Sequence, residues 1–317
     1  MENNKLLPGE KYFQEVRTAT FRKEEFVYIH TGIIDKDGET WTTTEMDEAN
    51  IFQVYNQYRC KHGIPFPDEI TGIREHYGLS AAKMSQILGF GINQYRMYED
   101  GEVPSISNAR TIIAAREKDL FKSFVVASKS EMSPQEYARV TKKVEAATGD
   151  YQPIVQPSEF TGFRSLSLNK IKGAVQMIIS NIGPTFVTKM NKLLFYADFI
   201  HYKQHGYGIT GITYRALPYG PVPERWGSLY SSLSEIDMEE FVYPSGQSGI
   251  RLEAEESTDV SMLDESEINT IKSVCKLFST MSAGEISQKS HLEKAWIENK
   301  DNRSPISYQT AFALNFG

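Results

Sequence analysis

The stretch from Phe186 to Phe199 constrains this chain more than any other. Phe186, Met190, Leu193, Leu194, Ala197 and Phe199 recur at helical spacing, and the helix they define is nearly apolar all round. Such a helix has no face to offer water, so other elements must wrap it. It predicts a buried central helix with a domain built around it. The preceding amphipathic helix, carrying Leu168, Ile171, Val175, Ile178 and Ile179, is stopped by Gly183-Pro184 and supplies one wall. Helices over 264–280 and 282–290 supply others. Residues 208–220 mix β-branched and aromatic residues with glycine. Phe241-Val242-Tyr243 and Ile250-Arg251-Leu252 flank a Pro-Ser-Gly-Gln-Ser-Gly loop and predict an edge hairpin. Gly220-Pro221-Val222-Pro223 reads as a rigid turn into the next helix.

A separate region lies upstream. Periodicity breaks at Gly149-Asp150-Tyr151-Gln152-Pro153 and stays broken to Pro157, which sets the major boundary. Residues 16–44 alternate apolar and polar positions around the turn Asp35-Lys36-Asp37-Gly38, as two or three antiparallel strands do. A helix starts near Thr44 and Asp47 and carries Ala49, Phe52, Tyr55 and Tyr58 up to Gly63-Ile64-Pro65. Four short helices follow at 67–77, 80–88, 92–100 and 105–116. Ser133-Pro134-Gln135-Glu136 opens another with a serine cap, a first-turn proline and a capping glutamate. The expected class is α+β, predominantly α. The expected domains are a small β region plus helix (1–65), a helical domain (66–128), a helix and linker (129–160) and a helix-rich C-terminal domain with small β elements (161–317).

Composition excludes several classes. A length of 317 residues with 40% hydrophobic content allows two or three cores. The two cysteines, Cys60 and Cys275, lie far apart and outside any CxxC or Cys/His pattern, which predicts reduced thiols and no zinc site. The N-terminus lacks a signal-like apolar core, and no run of about eighteen apolar residues occurs. A cytoplasmic protein without membrane contact is the expectation, with no cofactor. A net charge of −7 argues against indiscriminate nucleic-acid binding and leaves room for a dimer that reads DNA through one local face.

Within 78–105, two short apolar runs hinge on Gly89-Phe90-Gly91. Ala81, Ala82 and Ser85 let a second helix approach closely, and the glycines permit a tight turn, as a helix-turn-helix requires. With Ile92, Tyr95 and Tyr98 pointing inward, Asn93, Gln94 and Arg96 face outward at a helix start. There amides suit adenine, and a guanidinium suits guanine or phosphate. Ser80 and Lys83 join the candidate DNA contacts. Over 66–118 six Lys or Arg stand against seven Asp or Glu. A relic that only dimerises is the competing reading.

Leu79-Ser80, Met84-Ser85-Gln86-Ile87-Leu88-Gly89 and Tyr98-Glu99-Asp100-Gly101 with Pro104 resemble the repressor-type helix-turn-helix of the Xre/Cro family. The run from Thr42 to Asn50, with Tyr55-Asn56-Gln57-Tyr58-Arg59, resembles MqsA-like antitoxins. Those carry a zinc ribbon of paired cysteines in the N-terminal sheet; here the sheet has none. Asn93 falls on the family's base-reading asparagine. Four residues on, where an arginine commonly reads a base, stands Met97, with Arg96 one step away.

Lys189 to Phe199, His201-Tyr202, Gly206, Ile209-Thr210-Gly211, Tyr214-Arg215-Ala216 and Tyr219-Gly220-Pro221-Val222-Pro223 resemble the Panacea, or SocA-like antitoxin, domain over most of 165–317. The resemblance implies a type II antitoxin that binds a cognate protein toxin and represses its own operon, as a homodimer on operator DNA. Lys192, Tyr196, Asp198, Tyr202, Tyr214, Arg215 and Tyr219 suit a toxin-facing surface, because Tyr and Arg dominate interface energetics. They suit internal hydrogen-bonding ties equally well. Asp198, His201 and His205 share a helical face, as a metal-dependent enzyme would need, but the HExxH glutamate is absent because position 202 is tyrosine. A proteolytic adaptor for the toxin is the other alternative. With no phosphate-cradling glycine loop and no GxSxG, a non-enzyme is expected.

Overall fold

A computed structural model describes residues 6–242, 246, 248–254 and 259–316. β1 (Lys11–Phe21) and β2 (Glu24–Ile34) form a hairpin. Its two-residue turn, Arg22-Lys23, has positive φ at both positions, 49° and 71°. That geometry matches the strand twist and is more often given to Asn-Gly. β3 (Thr40–Trp41) pairs antiparallel with the end of β2, Ile33 opposite Trp41. The expected turn between them is present: Asp35 Oδ1 accepts from the Asp37 and Glu39 amides at 2.9 and 3.0 Å.

Further up β2, side chains replace a strand. On α1 (Thr44–His62), Asn50 accepts from the Thr31 amide at 2.9 Å and donates to the Thr31 carbonyl at 3.0 Å. Gln53, one turn on, does the same for Ile29 at 3.0 and 2.9 Å. A side-chain amide carries the same donor and acceptor as a peptide unit, so each one satisfies a residue of strand edge.

α2 (Pro67–His76), α3 (Ala81–Ile87), α4 (Gln94–Glu99), α5 (Ile106–Ala114), α6 (Lys118–Ala127) and α7 (Pro134–Ala146) share one core. It includes Ile73, Tyr77, Met84, Tyr95 and Phe121, with Val140 and Val144 from α7. α6 was not among the expected helices.

The C-terminal elements are α8 (Leu168–Ile182), β4 (Thr185–Phe186), α9 (Val187–His205), β5 (Tyr214–Leu217), β6 (Gly220–Pro223), α10 (Trp226–Ser231), β7 (Ile236–Val242), β8 (Ser248–Ala254), α11 (Glu265–Phe278), α12 (Ala283–Ser290) and α13 (Lys294–Ile297). α9 is the expected central helix. It is buried almost continuously from Met190 to Tyr202 and packs against α8, α11, α12, β6 and β8. Gly206 ends it in the left-handed region, with φ 79°. One sheet has the order β4-β8-β7, and β5 pairs with β6. The expected edge hairpin is β7–β8; its tip, Tyr243 and 244–245 with 247, lies outside the described residues.

Gly220 to Pro223 is not a turn into a helix, as the sequence implied, but strand β6, with Gly220 opposite Leu217 and Pro223 opposite Tyr214. A two-stranded hairpin tolerates prolines whose missing N–H would face away from the partner strand. Gly220 has φ 101°, and a Cβ there would lie 2.3 Å from Ser290 Oγ on α12 and 2.6 Å from Lys192 Cε on α9, so glycine suits this crowded, left-handed position.

The class is α+β, predominantly α. Contacts divide the chain into two compact units: residues 1–18, 27–53 and 157–317, and residues 19–26 with 54–156. Among the described residues, no helix is long and apolar enough to cross a membrane.

Candidate functional site

The α3–α4 surface is built from a few buried polar groups. Ser80 caps α3 by accepting from the Lys83 amide at 3.3 Å. Gly89, with φ 70°, turns the chain, and buried Ser85 Oγ accepts from the Tyr95 amide at 3.0 Å, pinning the start of α4 onto α3. Tyr95 donates its hydroxyl to the Ile70 carbonyl at 2.7 Å, and Tyr98 accepts from Asn108 at 2.7 Å. Both tyrosines therefore point inward, as their spacing predicts.

Ile92 does not. It is 84% exposed, because α4 begins only at Gln94 and Ile92 falls in the preceding turn. Asn93 and Arg96 are exposed, and their spacing with exposed Met97 puts the three on one helical face. Gln94 is half-buried and donates to Glu102 at 3.1 Å. Lys83 is committed to an ion pair with Glu136 of α7 and donates to Gln86 at 2.5 Å. Of the five expected DNA contacts, the structure thus exposes Ser80, Asn93 and Arg96 and engages Gln94 and Lys83 elsewhere.

The turn after α4 is held by two arginines outside that set. Arg59, 1% exposed, donates to the Gly101 carbonyl at 2.6 Å, and Arg22 donates to the Val103 and Pro104 carbonyls at 2.5 and 2.7 Å. Burial lowers the Arg59 pKa to about 10, which leaves it charged at neutral pH.

In the C-terminal unit, Asp198 is fully buried. Its Oδ1 accepts from the Ile209 and Thr210 amides at 2.8 and 2.9 Å; its Oδ2 accepts from the Thr210 and Tyr214 hydroxyls at 2.5 and 2.7 Å. Burial raises its pKa, opposed by these hydrogen bonds, which favour the carboxylate. Tyr196 donates to Glu293 at 3.1 Å, and Tyr202 accepts from Gln309 at 2.6 Å. Lys192, Tyr196, Asp198, Tyr202 and Tyr214 are all at 0% exposure. Asp198 and Tyr214 tie α9 to the loop and strand that follow it, Tyr196 and Tyr202 bond Glu293 and Gln309 further along the chain, and Lys192 Nζ has no hydrogen-bond partner among the described residues. Arg215 is partly exposed and pairs with Glu224 at 2.9 Å; Tyr219 is 75% exposed.

His201 bonds the Tyr207 carbonyl at 2.9 Å and Ser266 at 3.1 Å, while His205 packs against its ring. Asp198 is directed at Thr210 and Tyr214 instead, with both oxygens occupied. Among the described residues no group of three His, Cys, Asp or Glu could hold a metal ion.

No curated protein and no solved structure matches the chain. Residues 190–297, from the first turns of α9 to the end of α13, match the family model of the antitoxin SocA-like, Panacea domain, a likeness that supports an antitoxin role in general.

Proposed function

We propose that this protein is the antitoxin of a type II toxin–antitoxin pair. Its C-terminal domain, 161–317, neutralises a cognate protein toxin by direct binding. Its helical domain, 66–128, represses the operon as an Xre/Cro-type helix-turn-helix in a cytoplasmic homodimer. The family match over 190–297 carries the reading. Exposed Asn93 and Arg96 at the start of a pinned α4 support the DNA half. Two such helices related by a two-fold axis reach half-sites ~34 Å apart. With Lys83 and Gln94 engaged elsewhere, few phosphate contacts remain, so binding falls only gently with salt. Exposed Tyr219 and neighbouring Arg215 are the proposed toxin contacts.

The test is co-expression with the product of the adjacent reading frame, together with an operator shift assay. Asn93→Ala with Arg96→Ala abolishes the shift and leaves growth rescue intact. Loss of rescue with DNA binding retained would contradict the division of labour. If toxin protein disappears on co-expression rather than accumulating in a complex, the protein works by delivery to a protease and not by sequestration.

A further inference from the structure

A cleft of about 630 Å³ opens in the C-terminal unit between α9, α12, the β5–β6 hairpin and β8. Its walls are largely apolar, with Phe186, Leu217 and Trp226 among them. Lys192 also lines it. That side chain is fully buried, and among the described residues its Nζ has no hydrogen-bond partner. Two more unpartnered buried polar atoms line the same cleft: Ser287 Oγ on α12 and His291 Nε2 just beyond it.

A buried amine left without a partner is among the most costly groups a fold can hold, and an unsatisfied polar group lining a cleft points to something that enters the cleft and pairs with it. The Asp198 cluster shows how this domain treats a polar group that is purely structural: both carboxylate oxygens are fully bonded. Lys192, two turns earlier on α9, is not treated that way. Gly220 supports the contrast. Strand β6 is thinned to glycine where it passes Lys192: a Cβ at Gly220 would lie 2.6 Å from Lys192 Cε.

We propose that this cleft is a binding site for a small monocarboxylate with an apolar body, the carboxylate bonded by Lys192 Nζ and Ser287 Oγ and the body lying against Phe186, Leu217 and Trp226. A single negative charge matches the single ammonium. A phosphate dianion would leave a second charge uncompensated among apolar walls. The size and the ratio of apolar wall to polar anchors are those of a small-molecule pocket. Tyr219, proposed above as a toxin contact, also lines the cleft; the carboxylate site rests on Lys192 and Ser287 and does not depend on that role.

Binding of octanoate and 4-phenylbutyrate to the full chain, followed by Trp226-dependent fluorescence and by isothermal titration, tests it. Octanol and 4-phenylbutyramide serve as uncharged controls. Both carboxylates should bind, and their controls should bind at least about tenfold more weakly. Lys192→Met should remove that difference, and Ser287→Ala should reduce it while leaving the Lys192 contact. Equal affinity for carboxylate and control in the parent protein would overturn the proposal. So would carboxylate binding that survives Lys192→Met unchanged, or no binding of either carboxylate at about 10 mM.

Discussion

Lys192 and Asp198 stand two turns apart on one helix, and their chemistry separates them by pH. Burial brings the Lys192 pKa down to about 7, against about 10.4 in an unfolded chain. Below about pH 7 the ammonium is charged in both states and the fold bears the full desolvation cost. Between about 7 and 10.4 the unfolded chain binds the extra proton, so stability rises with pH and levels off above that window. Lys192→Met is therefore expected to be more stable than the parent at about pH 6, with the rise flattened, as urea unfolding at about pH 6 and pH 10 will read. Asp198→Ala strips four donors of their acceptor and should cost about 3–5 kcal/mol, a large fall in Tm by calorimetry. Tyr219→Ala with Arg215→Ala should leave Tm within about 2 °C and weaken toxin rescue. At this scale the sequence was legible for residue type and not for direction. Lys192, Tyr196, Tyr202 and Tyr214 carry interface-like side chains, yet all four are buried, and the tyrosine hydroxyls bond Glu293, Gln309 and Asp198. Of the candidate set, only Tyr219 and, in part, Arg215 were left as surface.

Among the elements, helical periodicity translated well. α8 and α9 stop at Gly183 and Gly206, both with positive φ, and α7 starts at the Ser133-Pro134 cap. What failed to show were features whose signal is a tertiary partner. Arg22-Lys23 carries no glycine or asparagine to announce a hairpin turn. The sharp turn is held because Arg22 bonds two carbonyls more than eighty residues away. Pro221 and Pro223 disguised β6 as a turn. Ile92 broke the inward stripe because helix α4 starts two residues later than its apolar spacing implied. Asn50 and Gln53 seal the edge of β2, a role that nothing in their spacing along α1 announces. Asn50→Ala with Gln53→Ala removes the four hydrogen bonds to the β2 backbone, and Asn50's bond to His30, and bares that edge. The expected outcome is a loss of about 2–4 kcal/mol by urea unfolding and concentration-dependent association by light scattering.

Over the whole molecule, the two compact units have unlike chain topologies. One is assembled from a short hairpin segment and a single long run, 19–26 and 54–156; the other gathers 1–18 and 27–53 with 157–317. Synthesis runs from the N-terminus at about 5–20 residues per second, so every residue of the first is in place some 10–30 s before the last of the other emerges. During that interval Asn50 and Gln53 already have β2 within reach, whereas α9 and the walls around it are still being made. A nascent chain arrested near its midpoint would thus carry one unit complete, with the amino-terminal strands already joined to Asn50 and Gln53 while the remainder of their own unit is still to be made.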